Sequence, residues 1–419
     1  MNSQEQFHKT INHIQPDKVV VDFGSTAVTG IHVQVVEKLR NHYGLENRPV
    51  KVIDPYQMLG EVDRELIDAI GIDIVRAWNT DDMFGINHSQ PNRLFKTFWG
   101  QEVLLPEAYQ PIFNENGDLI VYPKGDTSVP PSGRMPKTGF FFDSIVRQEP
   151  IDESQLNIED NLEEFELLSE EKLDYWAATT KQAKASGKPV IATFGGLALG
   201  DIALVPAPFL KHPKGIRDIT EWYMSTIMRV DYMKSLFEKQ VEIGIENLKK
   251  LHAKIGDNID AVFICGTDFG TQTSTFCSPD QYIDLWLPYY RKINDWIHEN
   301  TSWKTFKHSC GAVESFMPLF IKSGFDIINP VQINASGMDP QLLKDKYGKD
   351  LVFWGGGIDT QHVLPYETPE KVKDETLRLI EIFNKDGGFV FNTVHNVQAN
   401  VPIENVVAMI DAIREYNGN

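Results

Sequence analysis

Short apolar runs rich in β-branched residues recur along the chain, and most are followed by a longer stretch whose apolar residues repeat with helical spacing. Nearly continuous apolar strands that alternate with helices are typical of a parallel sheet covered on both faces. Eight such runs are present: Val19–Phe23, Ile72–Ala77, Pro189–Phe194, Ala261–Cys265, Lys304–His308, Asp326–Asn329, Leu351–Trp354 and Phe389–Phe391. Their number favours a closed (β/α)8 barrel of the TIM type over an open, doubly wound sheet.

Helix and strand boundaries are marked by proline and glycine. Pro369–Glu370 marks the start of one helix, because proline fits the first turn and an acidic side chain there complements the helix dipole. Gly387–Gly388 follows the last turn of this helix, and Gly195–Gly196 is predicted to stop the third strand. Two further helical segments are predicted over Trp222–Gln240 and Val241–Leu251.

Two stretches depart from the alternation of strand and helix. Residues 96–135 contain alternating apolar runs around Asn116–Gly117, a dipeptide typical of tight hairpins, so an antiparallel insertion is predicted after the second strand. Residues 136–175 form an irregular excursion whose acidic tract we interpret as a solvated helix face. Both are expected to belong to one barrel domain over residues 1–419, a length within the range of single barrels.

Composition narrows the class of protein. The formal net charge of −19 argues against binding to nucleic acid or to an anionic membrane surface. The cysteines Cys265, Cys277 and Cys310 are too few, and odd in number, for a disulfide framework, so a reducing compartment is expected. No apolar run is long enough for a signal peptide or a membrane span. We therefore expect a cytoplasmic protein.

The strongest chemical signal is Lys307-His308-Ser309-Cys310-Gly311, where the fifth strand runs into a loop. Active sites of such barrels lie at this carboxyl end of the strands. Residues two apart in an extended segment project the same way, so the His308 imidazole and the Cys310 thiol can converge on one point. Zinc prefers both ligands, and catalytic zinc leaves one position open. The pair by itself is equally compatible with a strand-end thiol beside a hydrogen-bonded histidine.

A second histidine, His395, lies in the loop after the eighth strand, within Gly387–Gln398. In an open sheet the fifth and eighth strands could lie far apart. In a closed barrel their carboxyl-terminal loops surround one mouth, so His395 could reach the same centre as His308 and Cys310. A purely structural, hydrogen-bonded role for His395 is the alternative.

Asp268 follows the fourth strand within Cys265–Gln272, on the same predicted face. Glycines on either side allow the backbone to approach a ligand closely. Asp268 could position a substrate, accept a hydrogen bond from a zinc-ligating imidazole, or cap a loop. Cys277 directly precedes Ser278–Pro279 and is interpreted as part of a helix cap rather than as a metal ligand.

A glycine-rich segment, Gly355–Gly357, follows the seventh strand and leads to Asp359. Glycines that enter a helix can bind phosphate or carboxylate through backbone N–H groups. The segment lacks the lysine of a P-loop, so nucleotide binding is disfavoured. A close-fitting pocket wall is the predicted role.

In their order along the chain these motifs resemble the uroporphyrinogen decarboxylase superfamily. The resemblance runs from about Lys18 to the end and rests on VVVDFGSTAVTGI, GTDFGTQTSTFCSPDQYIDLWLPYYRKI, KHSCGAVESFMPLFIKSGFDIINPVQ, GGGIDTQHVLP and GGFVFNTVHNVQANVPIENVVAMIDAI. Motifs in this register imply the barrel fold of the superfamily; they are less specific for the reaction.

Two branches of the superfamily differ in chemistry. Uroporphyrinogen decarboxylases are cofactor-free and carry an arginine motif of the RQAGR type for substrate carboxylates, whereas this chain has VDFGSTAVTG, without arginine. The strand end that carries their catalytic aspartate is matched here by Asn79. Methyltransferases that act with corrinoid proteins, such as methylcobamide:coenzyme M methyltransferases, bind zinc through an H-x-C pair and a third ligand, usually cysteine. His308 and Cys310 match the pair, and His395 falls at the third position.

The resemblance therefore implies a zinc-dependent methyltransferase that moves a methyl group between a small substrate and a corrinoid carried by a partner protein. His308, Cys310 and His395 would hold the zinc ion, and Asp268 would be catalytic. Two histidines and one cysteine form a less negative ligand set than usual, which brings methyl ethers into consideration beside thiols. Substrate contacts are expected from Asn79, Gln272, Gly356, Asp359 and Gln398.

Two alternatives stay open. The first is a metal-free carboxy-lyase of tetrapyrrole metabolism, in which His395 and Asp268 are polar contacts to a porphyrinogen-like acid. The second is a non-catalytic barrel that binds a corrinoid protein or a tetrapyrrole. The precedent of the superfamily also makes a homodimer possible.

Overall fold

The computed structural model describes residues 2–194 and 198–418. Its strands are β1 (Val20–Val21), β2 (Val50–Asp54), β3 (Leu59–Gly60), β4 (Val75–Ala77), β5 (Asn92–Lys96), β6 (Glu102–Pro106), β7 (Ile112–Phe113), β8 (Leu119–Val121), β9 (Gly133–Met135), β10 (Asp143–Ser144), β11 (Val190–Ala192), β12 (Ala261–Cys265), β13 (Lys304–His308), β14 (Ile327–Asn329), β15 (Val352–Trp354) and β16 (Phe389–Phe391). Its helices are α1 (Ser3–Ile11), α2 (Val33–His42), α3 (Arg64–Ile70), α4 (Glu170–Lys184), α5 (Ile219–Met228), α6 (Val230–Ile255), α7 (Pro279–Leu285), α8 (Leu287–Asn300), α9 (Met317–Lys322), α10 (Pro340–Tyr347), α11 (Val363–Tyr366), α12 (Pro369–Phe383) and α13 (Ile403–Tyr416).

The central sheet is parallel and follows the order β1-β16-β15-β14-β13-β12-β11-β4. Its members coincide with the eight predicted strands, although several are shorter than predicted. The predicted stop at Gly195–Gly196 lies outside the described residues. The two ends of this order meet at Asp73, two residues before β4. Its backbone N–H donates to the carbonyl of Val21 at 2.9 Å, and its carboxylate accepts the N–H of Val21 at 3.0 Å. The sheet is therefore curled like the predicted TIM-type barrel.

The inside of the curl is a single buried cluster, to which seven of the strands and Ile74, directly before β4, contribute. Its members are Val20, Ile74, Ile191, Ala261, Phe306, Ile327, Val352, Trp354 and Val390, together with Phe7 and Ile11 of α1. Helix α1 lies at the amino-terminal ends of the strands, where Gln4 donates to the carboxylate of Asp260. This end of the barrel is therefore closed, and we call the opposite, carboxyl-terminal end the mouth.

The helices outside the sheet agree with the prediction in part. The predicted start of α12 is confirmed, and the hydroxyl of Thr368 caps it by accepting the N–H of Lys371. The segment 222–240, predicted as continuous, is interrupted at Arg229, whose backbone (φ −126°, ψ 47°) leaves the helical region. Helix α6 then runs through the boundary predicted at Val241. Within the described residues no helix combines the length and the apolar character needed to cross a bilayer.

Two smaller sheets lie beside the barrel, with the orders β3-β2-β6-β5 and β10-β9-β8-β7. Strands β7 and β8 pair antiparallel on either side of the turn that contains Asn116–Gly117. The acidic tract forms the predicted solvated helix face only at its end, where Glu170 and Glu171 lie exposed in the first turn of α4; before α4 the tract contains a 3-10 turn, Ile158–Asn161. Another carboxylate of the tract has a structural partner: Glu164 binds the buried guanidinium of Arg217 at 2.9 Å.

Candidate metal centre

Strand β13 carries His308 to the mouth of the barrel. Phe306 belongs to the interior cluster, and His308, two residues later, projects to the same side and is buried. Its Nδ1 atom lies 2.6 Å from Oδ1 of Asn329, at the end of β14. The amide nitrogen of Asn329 donates to the carbonyl of Trp354 at 2.8 Å, so its Oδ1 atom is the acceptor. The proton of the imidazole is therefore on Nδ1, and Nε2 carries the lone pair.

Cys310 lies in the loop after β13, with its Sγ atom 3.3 Å from Nε2 of His308. Its backbone N–H donates to Oδ1 of Asp268 at 2.7 Å. Two glycines bring the loops after β12 and β13 into backbone contact: a Cβ atom on Gly311, which has φ +94°, would lie 2.3 Å from the carbonyl carbon of Gly270. The thiol is thus positioned by the contact between two neighbouring loops.

His395 lies in the loop after β16 and is held from both sides. The hydroxyl of Thr393 donates to the carbonyl of His395. The side chain of Asn396 accepts the N–H of Gly30, in the loop after β1, at 2.6 Å. The imidazole of His395 meets that of His308 edge to face, with the ring centroids 5.7 Å apart and an interplanar angle of 79°.

The side chains of His308, Cys310 and His395 form one cluster, although His395 is far from the other two along the chain. One ligand atom each from His308, Cys310 and His395 lies within 4.8 Å of the other two. Around a tetrahedral zinc ion, with bonds of about 2.0–2.1 Å to nitrogen and about 2.3 Å to sulfur, such atoms are about 3.3–3.6 Å apart. The donor atoms are of the kind that zinc prefers, and a contraction of about 1 Å would complete the geometry. The residues present therefore fit a zinc ion.

The two histidines and the cysteine of this cluster differ in their protonation states. Burial lowers the pKa of His308 and of His395 to about 4, so both imidazoles are neutral at pH 7 and keep a lone pair. Burial and the neighbouring Asp268 carboxylate raise the pKa of the Cys310 thiol well above its usual range. A cation must therefore displace the thiol proton on binding.

Asp268 lies beside the three side chains rather than among them. Its Oδ1 atom, which accepts the backbone N–H of Cys310, is 3.9 Å from Nε2 of His308. Burial raises the pKa of this carboxyl. The contact resembles the predicted loop cap, since it fixes the backbone that carries the thiol.

A second carboxylate near the mouth, Asp201, was missed by the sequence analysis. It accepts the N–H of Gly266 at 3.1 Å and that of Ala203 at 3.0 Å. Burial, followed by the charge of Asp268, raises its pKa to about 6. A Cβ atom on Gly266 would lie 2.5 Å from Asp201, so this glycine accommodates a carboxylate rather than the ligand approach that we predicted. The sequence signal that could have identified Asp201 was the presence of an aspartate shortly after the predicted third strand.

Tyr223 of α5 was also missed. Its ring stacks on Phe276 with centroids 4.7 Å apart. Its hydroxyl is buried and has no hydrogen-bond partner within the part of the chain that the structure describes. Burial raises the pKa of Tyr223, and the charges of Asp268 and Cys277 raise it further. Cys277 itself is outside the ligand cluster and directly precedes the cap of α7.

Two of the residues predicted to contact substrate are engaged between loops. Gln272 accepts a hydrogen bond from Gln332 at 2.9 Å and donates to the carbonyl of Asn334 at 2.7 Å. Gly356 adopts φ +81° and packs so closely that a Cβ atom would lie 2.8 Å from Cβ of Val331. These contacts join the loops after β12, β14 and β15.

The other three residues contact their own loops, and Asp359 also accepts the side-chain N–H of Asn334, in the loop after β14, at 3.1 Å. Asp359 accepts the backbone N–H of Gln361 at 2.7 Å, which is a turn cap. Gln398 donates to a carbonyl in its own loop at 3.4 Å. Asn79 accepts the N–H of Thr80 at 2.9 Å. Their role toward a substrate stays a prediction.

A known protein family matches the part of the chain that carries this site. The family model described as uroporphyrinogen decarboxylase (URO-D) matches residues 146–416. The chain belongs to the uroporphyrinogen decarboxylase family. The matched range contains β11 to β16 and all three candidate ligands, and it confirms the resemblance inferred from the motifs.

The chain is similar to curated proteins of this family at low identity. It is 26% identical over 195 residues to a uroporphyrinogen decarboxylase of Ruthia magnifica, which covers 44% of this chain and 50% of that protein. It is 24% identical over 213 residues to one of Pseudoalteromonas atlantica, which covers 47% and 57%. The chain thus spans about half the length of the curated relatives it matches.

A solved structure extends the similarity over the whole fold. A methyltransferase from Methanosarcina mazei superposes with a TM-score of 0.55 over 99% of both chains, at 14% sequence identity. At this identity the likeness establishes a shared fold.

Proposed function

We propose that this member of the uroporphyrinogen decarboxylase family is a zinc-dependent methyltransferase. It would move a methyl group between a small thiol or methyl ether and the corrinoid of a partner protein. The observation that carries the proposal is the mutual distance of at most 4.8 Å among the ligand atoms of His308, Cys310 and His395. Three protein ligands with one open position are the arrangement of catalytic zinc sites.

The chain's own residues would prepare this site. Asn329 holds the His308 imidazole in the tautomer that leaves Nε2 free. Asp268 holds the backbone of Cys310, and through it the thiol, against His308. The buried cluster below the mouth excludes water from the side of the barrel interior. A bound zinc ion would supply Lewis acidity, which lowers the pKa of a substrate thiol or polarises an ether oxygen.

Metal content tests the proposal directly. Protein purified without added metal is expected to contain about one zinc ion per chain. His308→Ala and Cys310→Ala should each lose it, whereas His362→Ala and Cys277→Ala, which lie outside the cluster, should retain it. Metal is read by mass spectrometry of the dialysed protein. Retention of zinc by both His308→Ala and Cys310→Ala would contradict the proposal.

Methyl transfer is the second test. With methylcobalamin as a surrogate for the corrinoid protein, wild-type protein is expected to demethylate it in the presence of small thiols, which is visible in the absorption spectrum. The His395→Ala variant should lose this activity if its imidazole is the third ligand. Unchanged turnover in the His395→Ala variant would show that His395 is not a ligand of the metal.

Metal-free decarboxylation is the competing function, and the names of the curated relatives favour it. The N-terminal segment VDFGSTAVTG carries no arginine for a polycarboxylate substrate. Release of CO2 from a porphyrinogen by protein that contains no zinc would decide for this alternative.

A further inference from the structure

Arg76 is a charged residue inside the barrel. It is the middle residue of β4, and its Cα atom pairs in register with Ile191 of β11, whose side chain belongs to the interior cluster. Ile74, two residues earlier, belongs to the same cluster. Alternate residues of a strand, and register partners on parallel strands, face the same side of a sheet. The Arg76 side chain therefore points inward, on the mouth side of Ile74.

The guanidinium of Arg76 makes no hydrogen bond to any residue in the ranges 2–194 and 198–418. Its contacts are the Trp78 ring, whose centroid is 4.4 Å from Cζ, and Oε1 of Glu61, 3.9 Å from the nearest nitrogen. The side chain is 24% exposed. Burial lowers the pKa of Arg76, and the charge of the Glu61 carboxylate opposes this effect.

Two arginines that are buried elsewhere in the fold have carboxylate partners. Arg217, which is 1% exposed, donates to both carboxylate oxygens of Glu164 at 2.9 and 3.1 Å. Arg40, which is 3% exposed, binds the carboxylates of Asp63 and Glu65. Because a planar guanidinium is normally matched by acceptors, the vacant edge of Arg76 indicates a ligand rather than a structural role.

The aromatic ring in contact with Arg76 is itself fixed by hydrogen bonds. The indole N–H of Trp78 donates to the carbonyl of Ser25 at 3.0 Å, and the hydroxyl of Tyr175 donates to the carbonyl of Trp78 at 2.9 Å. The anchored Trp78 ring supports the guanidinium by a cation–π contact and leaves its N–H edge open. Such an edge binds a carboxylate with two parallel hydrogen bonds.

Arg76 and the candidate ligands are carried by different strands of the same curled sheet. Strands β4 and β13 are separated by β11 and β12, which is about 14 Å along the sheet at a strand spacing of about 4.8 Å. The straight distance is shorter because the sheet is curled. The proposed zinc site would bind one end of a small molecule and Arg76 the other.

We infer that Arg76 anchors an anionic group of the substrate, and that the substrate is a small carboxylate whose sulfur or oxygen lies a few bonds from that group. The inference rests on the proposed function for the position of the reacting atom. It adds the cationic anchor that the N-terminal segment lacks.

A matched pair of thiols tests the inference. Binding of 3-mercaptopropionate and of its neutral amide, 3-mercaptopropionamide, is measured by isothermal titration calorimetry with zinc-loaded protein. Wild-type protein should bind the carboxylate about 10- to 100-fold more tightly than the amide. Arg76→Met should abolish this preference without weakening the amide, Arg76→Lys should keep part of it, and the surface control Arg378→Met should keep all of it. Equal preference in wild type and Arg76→Met would overturn the inference.

A second titration separates this inference from the zinc proposal. Glutarate, which has no thiol, is titrated into metal-free protein, where Arg76→Met should weaken binding by a similar factor even if the chain holds no zinc. Thermal unfolding excludes a structural explanation, because Arg76→Met loses no hydrogen bond and should unfold at the same or a higher temperature. Failure of wild-type protein to bind either carboxylate, or a large loss of stability with unchanged carboxylate affinity, would contradict the assignment.

Discussion

The Nδ1 atom of His308 lies 2.6 Å from the Oδ1 atom of Asn329, and this contact decides which nitrogen of the imidazole faces Cys310. The carboxamide of Asn329 cannot turn over, because its amide group donates to the carbonyl of Trp354. The tautomer that a metal needs is therefore fixed before any ion binds. It is maintained by a residue from a neighbouring strand.

Asn329→Ala should weaken zinc binding by about 10- to 100-fold, because the imidazole of His308 would lose both its orientation and its fixed proton. The affinity is measured by competition with a chromophoric chelator.

The matched control is Asn405→Ala. Asn405 is equally buried and donates to the carbonyls of Leu364 and Glu367, away from the cluster. The Asn405→Ala variant should have a lower unfolding temperature and an unchanged zinc affinity. Equal zinc affinities in Asn329→Ala and wild type would show that the contact with His308 has no influence on the metal.

Zinc affinity should rise about tenfold per pH unit between about pH 5 and pH 8. The pKa of each imidazole is lowered to about 4, so His308 and His395 are already neutral throughout this range. The thiol of Cys310, whose pKa is raised, is protonated throughout it and must release its proton. Calorimetry in buffers of different ionisation enthalpy should therefore detect about one proton released per zinc ion at pH 7. A pH-independent affinity would contradict this assignment.

Asp22 should make the fold less stable as the pH rises from about 4 to about 6. Burial raises its pKa from 3.8 to about 6, so the folded state binds more protons than the unfolded state in this range. The full effect, on the order of 2–3 kcal/mol, is reached above pH 6. The Asp22→Asn variant removes the titrating group. The difference in unfolding temperature between variant and wild type should shift in favour of the variant between pH 4.5 and pH 7, and a constant difference would rule out Asp22 as the cause.

Tyr223→Phe should leave the unfolding free energy unchanged or raise it by up to about 1–2 kcal/mol, since an unpaired buried hydroxyl costs stability. The comparison is Tyr282→Phe, which removes a hydroxyl that lies 2.8 Å from Oγ of Ser323 and should destabilise the protein. Both are measured by thermal unfolding. A loss of stability in Tyr223→Phe as large as that in Tyr282→Phe would show that its hydroxyl is paired.

The barrel strands could be predicted from the sequence because the signal is local. Each is a short apolar run, and the bounds of β13, Lys304–His308, agree with the prediction residue for residue. The H-x-C pair was equally visible, since residues two apart in a strand share a face. That His395 reaches the same point depends on closure of the sheet, which the number of strands indicated.

The supporting residues could not be predicted in the same way. In the sequence, Asn329 looks like any polar residue at the end of an apolar strand. Its contact with His308 depends on the register between β13 and β14. Arg76 was read as part of an apolar strand; a charge inside a buried run was the signal that was available. Asp201 and Tyr223 lie on loop and helix segments whose approach to the mouth only the tertiary structure determines.

Phe7 and Ile11 of α1 pack into the interior cluster at the amino-terminal end of the barrel, so the candidate metal ligands are approached from the mouth. In the proposed methyl transfer, a corrinoid protein docked over the mouth would also cover a small molecule bound at the candidate ligands. The small molecule would then have to bind before the corrinoid protein and leave after it.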